Sequence, residues 1–140
     1  MSYMMFITGD EPNIKGIEGV KFVKAEQSQD YIKKIINGFP SQDVAKTYFV
    51  DDGSLTSHDL VNEGQEPLNM GQPFTKTRLS KFLQACYKVN CRIRIWWAGN
   101  DLEAFKKVAK FDNKEHFEKE LVSKLMSGQD INLLYEPKNR

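Results

Sequence analysis

The stretch Cys91-Arg92-Ile93-Arg94-Ile95-Trp96-Trp97 restricts the fold more than any other part of the chain. Ile93, Ile95 and Trp97 alternate with Arg92, Arg94 and Trp96, a period of two that belongs to a β-strand with unlike faces. β-Branched and aromatic side chains suit such a pleated surface. Ala98-Gly99 ends the run, and Asn100 with Glu103 has the spacing of a capping box, so a helix is predicted to follow at once. The Ile93/Ile95/Trp97 face is expected against the core, which makes truncation of Trp97 costlier than truncation of Trp96. The opposite face has two readings. In one, Arg92 and Arg94 pair with carboxylates on neighbouring strands and Trp96 packs beneath a helix or long loop. In the other, Arg92, Arg94 and Trp96 form a recognition face, because Arg and Trp are enriched among interface anchors.

The flanking segments alternate strands with helices. Tyr3 to Ile7 and Val20 to Ala25 read as strands, joined by a short turn-rich linker that suits an antiparallel pair. Ser28 opens a helix to about Gly38, with Tyr31, Ile32, Ile35 and Ile36 as its apolar stripe. Asn37-Gly38-Phe39-Pro40 stops it. Thr47 to Val50 is a third strand. Thr75 or Thr77 caps a helix to about Val89, buried through Leu79, Phe82, Leu83 and Cys86. After the central strand come a helix from Asp101 to Lys110 and a second one opened by Asp112 and Glu115. The latter carries Phe117, Leu121, Val122 and Leu125 and stops at Gly128; Ile131 to Tyr135 is the last strand. This order predicts one α/β domain over residues 1–140, bordering on α+β. Its mixed sheet has about five strands and about four helices, with parallel strands joined by crossovers in the second half.

Residues 51–73 break the pattern. Gly53, Gly64, Pro67, Gly71 and Pro73 punctuate a polar stretch, which is long for a loop without a task. It also holds much of the negative charge. Between Ser41 and Gln72 there are six carboxylates and one cation; between Pro73 and Lys124 there are twelve cations and six carboxylates, although the whole chain is only +1. Such segregation points to charged partners or to internal pairing.

Several function classes lose support. No apolar run is long enough to cross a bilayer, and Met1 to Thr8 lacks the basic flank and cleavage site of a signal peptide. A cytoplasmic protein without a membrane partner is expected. Cys86 and Cys91 are five apart, not a CxxC pair, and are expected as buried, reduced thiols. Glycine-rich phosphate loops are absent from the sequence, so no cofactor is implied.

The remaining candidates are few. Asp51, Asp52, His58 and Asp59 could hold Mg²⁺ or Mn²⁺ at the end of a strand, although Asp-Asp-Gly-Ser is also ordinary turn chemistry. They define the alternative expectation, a small metal-dependent enzyme acting on a phosphate-containing substrate. The leading expectation is a binding role rather than an enzymatic one. An acidic loop carrying Asp51, Asp52, Asp59, Glu63 and Glu66 would attract a basic protein. Nucleases have basic grooves because they hold phosphates. Charge and size therefore point to an immunity- or antitoxin-type inhibitor of a nuclease-like toxin, with Arg92, Arg94 and Trp96 as a second contact face or a structural one. Nucleic-acid binding by the basic half is the weaker candidate, given the small net charge.

Overall fold

Tyr3–Gly9 is apolar on both sides of its pleat, which suits a strand with covered faces and two neighbours. The computed structural model, which describes residues 3–17, 19–51, 74, 77–97, 106–127 and 130–138, places it so. We label the strands β1 (Tyr3–Gly9), β2 (Lys21–Lys24), β3 (Thr47–Asp51), β4 (Cys91–Trp97), β5 (Ala109–Phe111) and β6 (Asn132–Tyr135). The helices are α1 (Asp30–Ile36), α2 (Ser41–Val44), α3 (Arg78–Tyr87) and α4 (Lys114–Ser127). The six strands form one mixed sheet in the order β2-β3-β1-β4-β6-β5. It is the core of a single α/β domain.

Two expectations about the sheet need correction. β1 and β2 do not pair; β3 lies between them, antiparallel to both. Lys21 and Lys24 are exposed on β2, which suits an edge strand and blunts it against pairing with other chains. The second half is also less parallel than the alternation implied. β4 is antiparallel to β1 and to β6, and among the described residues only β5 and β6 pair in parallel. The crossover β3-α3-β4 does join two strands of the same direction, but β1 is inserted between them. Strand order is a long-range choice that local periodicity does not carry.

Helices cover both faces. On one, Met5, Ile7, Ile93, Ile95 and Leu133 pack against α3 and α4. α3 contributes Leu79, Phe82, Leu83 and Cys86, the stripe expected from its spacing, and α4 contributes Phe117 and Leu121. Thr77 caps α3, its Oγ1 accepting a hydrogen bond from the Ser80 amide at 3.1 Å. α4 is capped by Asn113, not Asp112: the Asn113 Oδ1 accepts from the His116 amide at 3.0 Å. On the other face, α1 brings Ile32, Ile35 and Ile36 onto Met4, Phe6, Phe49 and Trp96. Trp96 is 1% exposed, so the expected difference between a buried and a wetter face of β4 does not hold there.

The helix expected from Asp101 to Lys110 is corrected at its C-terminal end, where Ala109–Phe111 forms β5. Residues 101–105 lie outside the described residues. Three ladder partners on β6 and a hydrogen bond from the Glu136 amide to the Phe111 carbonyl (2.8 Å) hold this segment extended. Cys86 and Cys91 are buried free thiols, and the Cys91 Sγ donates to the Cys86 carbonyl at 3.6 Å.

Candidate functional site

α1 covers only part of its face of the sheet. In an antiparallel ladder, directly opposed residues project to the same side. One row across the sheet therefore reads Phe49, Phe6, Arg94, Leu134 and Lys110. It is aromatic under α1 and becomes basic from β4 outward. The next row carries Thr47, Thr8 and Arg92. Beyond α1 the surface sinks into a pocket of about 310 Å³ whose walls include Thr8, Phe39, Asp43, Arg92, Arg94 and Glu136. Lys106, Val108, Lys110 and Leu134 close the side nearer β5.

Each arginine is held by a partner from another segment. The Arg92 Nη2 donates to the Asp43 Oδ1 at 2.6 Å, and its Nη1 lies 3.7 Å from the Glu136 Oε2. Asp43 is only 4% exposed. Two short hydrogen bonds fix the turn that presents it: the Asp43 amide donates to the Pro40 carbonyl (2.8 Å), and the Thr47 hydroxyl donates to the Asp43 carbonyl (2.8 Å). The hydrogen bond to Asp43 holds the Arg92 guanidinium above its ordinary pKa.

Arg94 is 7% exposed. Its Nε and Nη2 both donate to the Asn132 Oδ1, at 3.0 and 2.7 Å. The Asn132 Nδ2 in turn donates to the Lys107 carbonyl at 2.9 Å, which fixes the amide's orientation. Burial pushes the Arg94 pKa down to about 10, still far above neutrality, so the side chain is a cation at physiological pH. Asn132 orients this guanidinium without neutralising it.

The described pocket walls hold four cations (Arg92, Arg94, Lys106, Lys110) and two carboxylates (Asp43, Glu136). Such a site can hold an anion. Thr8 is the hydroxyl at its inner wall, and its Oγ1 is engaged with the Thr47 Oγ1 at 2.9 Å.

The residues singled out from sequence separate into two groups. Arg92 and Arg94 come together in the pocket, and Trp96 packs under α1, the structural role that one reading allowed it. Asp51 ends β3, where its Oδ2 lies 4.0 Å from the Lys21 Nζ. Asp52, His58, Asp59, Glu63 and Glu66 lie outside the described residues, and with them most of the acidic loop and of the metal candidate. Among the described residues no three His, Cys, Asp or Glu side chains converge as metal ligands. Also among the described residues, no helix is long and apolar enough to cross a membrane. Sequence reasoning missed Asp43, Glu136 and Lys110, which reach the pocket from three other segments. The available signal was the Arg92/Arg94 pair, two apart on a strand.

No protein-family model matches the chain, and no curated protein or solved structure matches it significantly.

Proposed function

We propose that the chain is a protein-binding module, in its most concrete form an immunity- or antitoxin-type inhibitor that occludes the basic groove of a nuclease-like partner. One observation carries this reading: between Ser41 and Gln72 the sequence has six carboxylates to one cation, five of them from Asp51 onward and the sixth the Arg92-paired Asp43, whereas the following segment is strongly basic. An acidic segment of this kind speeds encounter with a basic surface and rejects acidic ones. Its attachment supports the idea. Asp51 is the last residue of a strand whose preceding two residues, Phe49 and Val50, are buried, so the segment leaves from a rigid base. The inhibitor acts by covering its partner and performs no chemistry. Asp51, Asp52, Asp59, Glu63 and Glu66 make the charged contacts, and the proposal places the protein in the cytoplasm, without a membrane partner or cofactor.

The test compares the native chain with a triple variant, Asp51→Asn, Asp52→Asn and Asp59→Asn. A tagged native chain should retain a stoichiometric basic protein from host lysate at moderate salt and release it at high salt. The triple variant should lose that protein while keeping the native far-UV circular dichroism, because Asp→Asn conserves side-chain volume and the long Asp51–Lys21 pair contributes little. Undiminished retention by the triple variant refutes the reading.

A further inference from the structure

The acidic-segment reading leaves the Arg92/Arg94 pocket without a task. Its construction is unusual for a merely structural feature. A guanidinium taken out of water loses much hydration, and a protein retains it where partners compensate. Here two neighbours spend their side chains on aiming arginines. Asp43, itself buried, grips one end of Arg92, and Asn132 takes two donors of Arg94 while being braced by the Lys107 carbonyl. Both arginines stand on one rigid strand at adjacent positions of the same face. Lys110 joins them from β5, two strands away, because its ladder partner Leu134 is also that of Arg94.

The walls specify more than charge. Phe39 packs against Phe6 with ring centroids 5.6 Å apart, so the α1 side of the pocket is a fixed apolar surface. Leu134 and Val108 continue that character between the cations. A volume of about 310 Å³ is at the small end of the range for organic ligands. The described lining sets Arg92, Arg94, Lys106 and Lys110 beside Asp43 and Glu136, and this preponderance of cations suits an anion. A phosphomonoester is dianionic at neutral pH, and arginine forks and lysine point charges are the side chains that recognise it. The cations converge on one depression, whereas a nucleic-acid backbone needs them spread along a track.

We propose that this pocket binds a small phosphomonoester, its phosphate held by Arg94, Arg92 and Lys110 and its compact body resting against Phe39 and Leu134. Asp43 and Asn132 are positioning residues that hold the two guanidiniums in place. The site uses none of the five carboxylates assigned to the protein partner (Asp51, Asp52, Asp59, Glu63 and Glu66), so either proposal can fail without the other.

The experiment is a titration of the full chain followed by calorimetry and by the amide and arginine Nε–H resonances. The probes are inorganic phosphate, ribose 5-phosphate, succinate as a dicarboxylate of equal charge, and a short single-stranded oligonucleotide. Ribose 5-phosphate should saturate one site with a Kd below about 1 mM, shifting the Arg92 and Arg94 Nε–H signals. Inorganic phosphate should move the same signals but bind more weakly, because it lacks the body that meets the apolar wall. Arg94→Lys keeps the charge and removes the fork, and should weaken ribose 5-phosphate at least about tenfold. Lys110→Gln alters an exposed side chain on an edge strand, so it keeps the test valid if Arg94→Lys unfolds. It should weaken binding about threefold to tenfold and leave partner retention in the pull-down unchanged. Absence of binding by both phosphate probes at about 10 mM overturns the proposal. So does succinate binding as tightly as ribose 5-phosphate, an oligonucleotide displacing it from the same residues, or undiminished affinity in Lys110→Gln.

Discussion

Trp96→Ala tests the layer that α1 forms over the sheet. Trp96 is 1% exposed and belongs to a cluster with Met4, Phe6, Ile32, Ile35, Ile36 and Phe49. A buried tryptophan removes roughly 150–250 Å² from water, which at about 25 cal/mol per Å² is worth about 4–6 kcal/mol. Measured truncations of large aromatic residues cost about 3–5 kcal/mol, and the lower range is the better guide, because unfolded chains already shield part of that surface. For 140 residues, an unfolding entropy of about 2.1 cal/mol/K per residue makes each kcal/mol worth about 3–4 °C in Tm. Trp96→Ala should therefore lower Tm by about 10–17 °C. Guanidinium unfolding followed by far-UV circular dichroism gives the free energy, and a thermal scan gives Tm. The effect should fall on folding, since Trp96 can touch a partner only if α1 lifts. A cost below about 1.5 kcal/mol would show that α1 does not seal this end of β4, and that the recognition reading of Trp96 deserves to return.

Two further outcomes follow from the core. Gly9 has φ +117°, and a Cβ there would lie 2.6 Å from the Asn90 carbonyl oxygen, which is tied by the Asp10 amide at 3.1 Å. Gly9→Ala should therefore destabilise by at least about 1–3 kcal/mol in the same denaturation assay, and a neutral result refutes the close approach. Stability should also fall on the alkaline side. The hydrogen bond with Cys91 and burial push the Cys86 thiol above its ordinary 9.0, and burial pushes Tyr87 above its ordinary 10.0. The unfolded chain then releases protons that the native state keeps. The stabilisation is fully present below about pH 9 and declines above it, by up to about 1.4 kcal/mol per pH unit for Cys86, more steeply once Tyr87 contributes. Denaturation midpoints that stay flat to about pH 10.5 would contradict this assignment.

Much of the local structure was legible in the sequence. The alternation of Cys91–Trp97 and the Leu79/Phe82/Leu83/Cys86 stripe depend on spacings of a few residues, and each stands where the pattern put it; of the two caps the sequence offered, Thr75 and Thr77, the structure uses Thr77. What the pattern could not carry was the identity of neighbours. β1 and β2 are close in sequence, yet β3 pairs with both, because an apolar strand gains more from two ladders at the centre than from one at the edge. Ala109 and Lys110 end the helix expected from Asp101, yet β6 claims Ala109–Phe111 as a strand. The Arg92/Arg94/Trp96 face looked wet by composition. It is covered over Trp96 and sunken at Arg94, since a sequence pattern cannot distinguish an exposed arginine from one buried against Asn132. The pocket was half legible for the same reason. Its two arginines share a strand, but Asp43, Lys110 and Glu136 reach it only through the tertiary fold.

The central place of β1 has a kinetic consequence. During synthesis this strand emerges before both of its partners. Thr8 meets Thr47 at a sequence separation of 39, whereas Gly9 meets Cys91 at 82 and Tyr3 meets Trp97 at 94. Pairings so distant close late and slow the search for the native state. Until β4 is made, one side of a seven-residue apolar strand waits with an open hydrogen-bonding edge. The nascent chain thus cannot complete its sheet in instalments. This central strand is also the one whose second partner is longest in coming, so yield in the cell should depend on chaperone supply and translation speed.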